Sequence, residues 1–171
     1  ERRAGVAEQL DDSQHSLDVQ RNGAVLVRAS ARLAGHGTVE AGGRTYEARH
    51  VVLATGSEPI VPPIAGLDDL GECCWTSADA MVTEERPARL MIIGAGVIGC
   101  ELATIFAGFG TEVHLLDTEP RPFPDLPSEI GQILDESLRA ARVRVRRGVT
   151  IERVGRRGGG VRTTLDNGAT V

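Results

Sequence analysis

The stretch Leu90-Met91-Ile92-Ile93-Gly94-Ala95-Gly96-Val97-Ile98-Gly99-Cys100-Glu101-Leu102-Ala103 limits what this chain can fold into more than any other. A short apolar run enters a glycine turn, and helical spacing after it predicts Val97, Ile98, Leu102, Ile105 and Phe106 on a buried side. The pattern is strand, tight turn, helix. Gly94, Gly96 and Gly99 fit G-x-G-x-x-G, each for a separate physical reason. The first permits the turn, the second lets backbone approach a pyrophosphate, and the third lets helix and strand pack closely.

The residues after this helix narrow the possibilities. Gly110 stands where a left-handed C-terminal cap is expected, and Thr111-Glu112-Val113-His114-Leu115-Leu116 reads as a second strand. Asp117 closes that strand, near the position about twenty residues downstream at which an acid binds the adenosine ribose. Its carboxylate is suited to accept from both ribose hydroxyls and would repel a 2′-phosphate, so NAD is favoured over NADP. Arg121, only four residues later, limits that exclusion. A glycine turn alone is often only a turn, and an acid at a strand end also serves as a turn cap.

Composition excludes several classes. The 171 residues carry a net charge of −5 and only 3% aromatics, which argues against a nucleic-acid or membrane-surface partner. No apolar run reaches membrane-spanning length and no charged-then-apolar leader opens the chain, so a cytoplasmic location is expected. All 19 basic residues are arginines, so no lysine-dependent step, such as Schiff-base chemistry, belongs to this chain. Cys73, Cys74 and Cys100 show neither redox-pair nor metal spacing. A vicinal disulfide at Cys73-Cys74 would be strained. Cys100, near a helix start, is expected to pack against the sheet rather than react.

In chain order, residues 1–21 are polar and read as the tail of a helix. Ala24–Ala29 reads as a strand, and Gly42-Gly43 between Thr38–Ala41 and Arg44–Ala48 as a tight hairpin. His50–Ser57 has the continuous apolar run of a strand buried on both faces. The proline-rich Glu58–Gly66 cannot continue a ladder and looks like an exit from a domain. Residues 67–88 read as a connection with a short helix near 76–81. After Asp117 comes a loop holding four prolines, then a helix capped by Ser128 and running to about Ala141. A strand at 143–146 comes next, and a last antiparallel addition turns at Asp166-Asn167-Gly168. The β-α-β-α-β order predicts an α/β, Rossmann-like domain: a parallel sheet with helices on both faces, plus an antiparallel hairpin.

These residues resemble the flavin-dependent pyridine nucleotide-disulfide oxidoreductases, which include dihydrolipoamide dehydrogenase, glutathione reductase and mercuric reductase. The likeness rests on Val52-Leu53-Ala54-Thr55-Gly56-Ser57-Glu58-Pro59 and on Ile92–Ala103, two motifs in the family's order. It implies a partial FAD-binding domain at 1–66, a connection at 67–88, and a C-terminally truncated NAD-binding domain at 89–171. It implies FAD contacts at Thr55 and Gly56. It places NAD on Gly94, Gly96, Val97, Ile98, Gly99 and Asp117, and sets Glu101 near the nicotinamide. An acid in a helix's first turn is also favourable without any function.

The departures are equally specific. The family's N-terminal FAD glycine loop, its C-x-x-x-x-C, its lysine partner for the acid and its C-terminal histidine and glutamate are not in these residues. No catalytic residue is therefore assigned, and no histidine sits in a matching context. The resemblance implies a portion of an enzyme most like dihydrolipoamide dehydrogenase, acting on a small-molecule or protein-bound disulfide or dithiol, with a homodimer expected for the full-length protein. The alternative is a stand-alone dinucleotide-binding module, or a truncated product without turnover.

Overall fold

The structure, a computed structural model, describes residues 11–171. It divides into two compact units, one ending at Gly56 and one spanning Ser57–Val171. The start of the polar N-terminal segment lies outside the described residues.

In the first unit, helix α1 (Ser13–Arg21) precedes an antiparallel meander of β1 (Ala31–Gly35), β2 (Thr38–Ala41) and β3 (Arg44–Glu47). The expected hairpin forms: Ala41 pairs with Arg44 across Gly42 and Gly43, whose φ of 57° and 74° are the left-handed values a two-residue turn needs. Two expected strands do not form. Ala24–Ala29 is irregular, with Val25 84% exposed, and the pairing strand begins instead at Ala31. His50–Ser57 forms no ladder, with Val52 87% exposed. A strand needs a neighbour to take its N–H and C=O groups, and among the described residues neither run has one.

The second unit opens with the proline-rich segment, which bridges to β7 (Ile151–Arg157) in parallel through Ala65. Gly66 comes next with φ 82°, where an added Cβ would lie 2.2 Å from the Val154 carbonyl oxygen. A 3-10 stretch (Asp68–Cys73) then buries Leu67 and Leu70 against Val154. Helix α2 (Ser77–Val82) starts in a capping box, with Thr76 and Asp79 each satisfying the other's backbone N–H.

The centre is a parallel sheet of β4 (Arg89–Ile93), β5 (Glu112–Leu116) and β6 (Arg144–Arg146), in that order. Helices α3 (Val97–Gly108) and α4 (Ser128–Ala140) make the crossovers. Leu90, Ile92, Val113, Leu115 and Val145 share one face and pack with Cys100, Ala103, Phe106 and Leu138 of the two helices. On the other face Met91 meets Thr163 of β8 (Gly160–Leu165), which pairs antiparallel with β7. The chain returns after Asp166-Asn167-Gly168 as expected, with reciprocal Thr163–Val171 backbone bonds of 3.0 Å.

Two local expectations are corrected. On α3 the buried residues are Cys100, Ala103 and Phe106, whereas Val97, Ile98 and Ile105 are exposed. Phe106 is buried and Leu102 partly packed as expected, but near the turn, where Gly99 lets the helix come close, the small Cys100 and Ala103 make the contact, which apolar periodicity does not weigh. Ser128 is the first residue of α4 and not its cap; Pro127 occupies the cap position, and the Ser128 hydroxyl faces Glu129. The far end of α3 closes as read: Gly110, at φ 84°, bonds back to Ala107 while Thr111 bonds to Phe106, a Schellman closure. Arg86 adds a guanidinium over the carbonyls of Phe109 and Gly110.

Candidate functional site

The site is built at the C-terminal ends of β4 and β5, where an α/β sheet opens its binding crevice. Each glycine of the turn answers to a distinct constraint. Gly94 has φ 96°, and its N–H is held by the Leu116 carbonyl at 2.8 Å. Gly96 caps α3 without any side-chain hydrogen bond, and a Cβ there would meet nothing within 4 Å, so its outer surface is open. A Cβ at Gly99 would lie 1.9 Å from the Gly94 carbonyl oxygen, a distance no side chain tolerates. The first turn of α3 therefore presents uncapped N–H groups, at the positive end of the helix, over bare glycine backbone. Such a surface has the donors and the room that a pyrophosphate needs, so these residues fit a dinucleotide.

Asp117 is tied to this turn. Its Oδ2 accepts from the Ala95 N–H at 2.8 Å and its Oδ1 from the Glu119 N–H at 3.0 Å. Each carboxylate oxygen still has acceptor capacity, one for each hydroxyl of a ribose. Ala95 is pinned on its other side too, because its carbonyl accepts from the Cys100 thiol at 3.3 Å. Burial pushes the Cys100 thiol up from its ordinary value, against the pull of the nearby Arg147 guanidinium. The cysteine packs, as expected. Arg121 is turned into its own loop, donating to the carbonyls of Pro124 and Leu126.

Two residues here escaped the sequence-based reasoning. Arg147 brings Nη1 to 3.9 Å from Asp117 Oδ2 and Nη2 to 2.9 Å from Asp135 Oδ1. A signal existed: Val143 and Val145 alternate onto the helix-facing side of β6, and the same alternation carries Arg147, a charged residue, onto that side.

The remaining candidates stand elsewhere. Glu101 is the fifth residue of α3, exposed and beyond the first turn, so the helix field that favours an early acid is weaker at its position. Val97 and Ile98 open α3, exposed beside Gly96. Thr55 and Gly56, both exposed, end the first unit, Gly56 with φ 72°. Among the described residues no helix is long and apolar enough to cross a membrane, and no group of three metal-ligating side chains comes together.

Residues 2–171 match the family described as pyridine nucleotide-disulphide oxidoreductase. Mercuric reductase of Staphylococcus aureus is 31% identical over 158 residues, covering 92% of this chain and 28% of that protein. Dihydrolipoyl dehydrogenase of Thermus scotoductus is 36% identical over 147 residues, covering 85% of this chain and 31% of that protein. The chain thus spans less than a third of the length of these curated relatives. In structure it resembles a mutant of the HOCl-induced flavoprotein disulfide reductase RclA of Escherichia coli. The TM-score is 0.82 at 22% identity, over 98% of this chain and 38% of that one, a likeness of fold. LpdA of Mycobacterium tuberculosis gives 0.74 at 25% identity over 93% of this chain and 38% of that one. With nearly every residue matched by the family, the chain belongs to the pyridine nucleotide-disulphide oxidoreductases.

Proposed function

We propose that this chain carries the NAD(H) site, and part of the FAD site, of a flavin-dependent disulfide oxidoreductase of the dihydrolipoamide dehydrogenase type. The observation that carries the proposal is Asp117, held against the glycine turn with one acceptor position left on each oxygen. On this basis Gly94, Gly96, Val97, Ile98 and Gly99 hold the pyrophosphate through backbone N–H groups. Asp117 takes the ribose hydroxyls, Glu101 lies toward the nicotinamide, and Thr55 and Gly56 contact the flavin nucleotide. The bound cofactors supply the chemistry, hydride exchange between nicotinamide and flavin. The chain's own residues bind, orient and select. Asp117 selects because a 2′-phosphate would meet its negative charge, and Arg121, engaged with its own loop, is not free to neutralise that phosphate.

Residues 1–66 then form the FAD-side portion, 67–88 the connection and 89–171 the NAD portion. The substrate is a small-molecule or protein-bound disulfide or dithiol, the full-length protein is a cytoplasmic homodimer, and neither nucleic acid nor membrane is a partner. The three free cysteines accord with a reducing compartment.

The decisive test is Asp117→Ala in the full-length protein, with NADH and NADPH binding measured by fluorescence titration. The expected result is a loss of about tenfold or more in NADH affinity relative to NADPH, the size of hydrogen bonds to a charged acceptor. An unchanged NADH to NADPH ratio would sink the NAD assignment.

A further inference from the structure

Arg147 is the buried charge that dinucleotide binding leaves unexplained. Its side chain is only 10% exposed, on the helix-facing side of the sheet beneath the glycine turn. Burying a guanidinium is costly unless it is paired and hydrogen-bonded. Arg147 is paired on one side only by a true hydrogen bond, 2.9 Å from Nη2 to Asp135 of α4. Toward Asp117 the separation is 3.9 Å, an ion pair without a hydrogen bond, and Nε and Nη1 are buried with no acceptor. The carboxylates flanking it are themselves largely buried, Asp117 at 14% exposure and Asp135 at 24%.

The three charges form a row in which Asp135 anchors Arg147, and Arg147 stands behind the oxygen of Asp117 that accepts from Ala95. Without the guanidinium, Asp117 would be a mostly buried carboxylate beside a second carboxylate, favoured to turn away from the glycine turn toward water. With it, the attraction holds Asp117 where both oxygens meet backbone N–H groups and both keep a lone pair outward. A point of attraction at 3.9 Å in a poorly solvated place is stronger than the same pair on the surface.

We propose that Arg147, seated on Asp135, is the positioning residue that holds Asp117 against the glycine turn and thereby sets the preference for a ribose 2′-hydroxyl over a 2′-phosphate. The inference rests on the NAD assignment above and adds to it. Asp117 supplies the contact, and the buried pair behind it supplies the orientation.

The test uses the full-length protein and four variants: Arg147→Met, Arg147→Lys, Asp117→Ala and the double variant Asp117→Ala/Arg147→Met. Two quantities are read. The first is hydrogen exchange, by mass spectrometry, of the peptide containing Ala95 in the nucleotide-free protein. The second is the ratio of NADH to NADPH dissociation constants. Arg147→Met is expected to speed exchange at Ala95 and to erode the NADH preference about tenfold, within the range of coupling between charges in one network. Arg147→Lys, which keeps the charge, is expected to restore most of both. In the Asp117→Ala background, Arg147→Met is expected to change the ratio no further.

The proposal is overturned if Arg147→Met leaves Ala95 exchange and the ratio unchanged, or if it erodes the ratio equally with Asp117 absent. It is also overturned if Arg147→Met weakens NADPH more than NADH, because the guanidinium would then be a phosphate ligand. If Asp117→Ala moves the ratio and Arg147→Met does not, only this inference fails. Should Asp117→Ala itself leave the ratio unchanged, the NAD assignment fails and takes the inference with it.

Discussion

The two units are built from similar residues and end in different physical states. From residue 57 onward Val113, Leu115, Leu138 and Leu165 are at most 1% exposed, whereas no described residue up to Gly56 is buried. The first unit is not short of apolar residues: Val25, Val27, Leu33, Val51, Val52 and Leu53 are all exposed. Nor is it short of backbone order, since its three strands pair in sequence with one irregularity between Leu33 and Gly35. Among its described residues no second layer buries the apolar face. A sheet must lay its apolar face on another element, and in the second unit α3, α4 and the β7–β8 pair supply that element. Among the described residues the three-stranded ribbon buries no side chain, and its ladder and turns carry most of its order.

The comparison breaks most easily at a leucine from each unit. In the 171-residue chain, Leu115→Ala deletes a fully buried side chain between sheet and helices, and its expected cost is about 4 kcal/mol of unfolding free energy. Leu33→Ala, at a side chain 57% exposed in β1, is expected to leave the same transition unmoved within about 0.5 kcal/mol. Urea unfolding monitored through Trp75, the chain's single tryptophan, which packs 6.3 Å from the Phe106 ring, measures both. Equal shifts would mean that the first unit shares the core of the second.

A glycine pair sharpens the same contrast. Gly99→Ala places a Cβ on the Gly94 carbonyl, and the expected loss is about 3 kcal/mol by the same readout, together with NADH binding in the full-length protein. Gly43→Ala strains a left-handed turn but meets open space, so it should cost the hairpin only about 1 kcal/mol, seen as faster exchange at the β2 and β3 amides. A mild Gly99→Ala phenotype would show that the helix backs away from the turn without penalty.

The gentlest comparison needs no substitution. Amides of β5, paired on both sides within a buried sheet, should exchange about a hundredfold more slowly than those of β1 to β3 in the isolated chain. Comparable protection would indicate that the meander is covered in solution.

Legibility tracked the range of the forces involved. Gly94, Gly99 and Gly110 were readable because a positive φ or an excluded Cβ is a property of a few consecutive residues. So was the Gly42-Gly43 hairpin. Asp117 was readable from its spacing, since strand and helix lengths fix where the second strand ends. The strands expected at 24–29 and 50–57 were not, because an apolar run states a demand for neighbours and cannot say whether they are present. The buried face of α3 was read correctly at Phe106 and in part at Leu102, and wrongly at Val97, Ile98 and Ile105: periodicity ranks side chains by hydrophobicity, while near the glycine turn the small Cys100 and Ala103 make the contact.

Short spacings and local geometry were enough to set the glycine turn, the acid that closes the second strand and the family the chain belongs to. Only the folded layers decided that Arg121 is spent on its own loop, that Arg147 is drawn inward between Asp117 and Asp135, and that one unit buries a core while the described residues of the other bury none. Burial and charge pairing are set by residues far apart in the chain, and their outcome exists only once the layers have met.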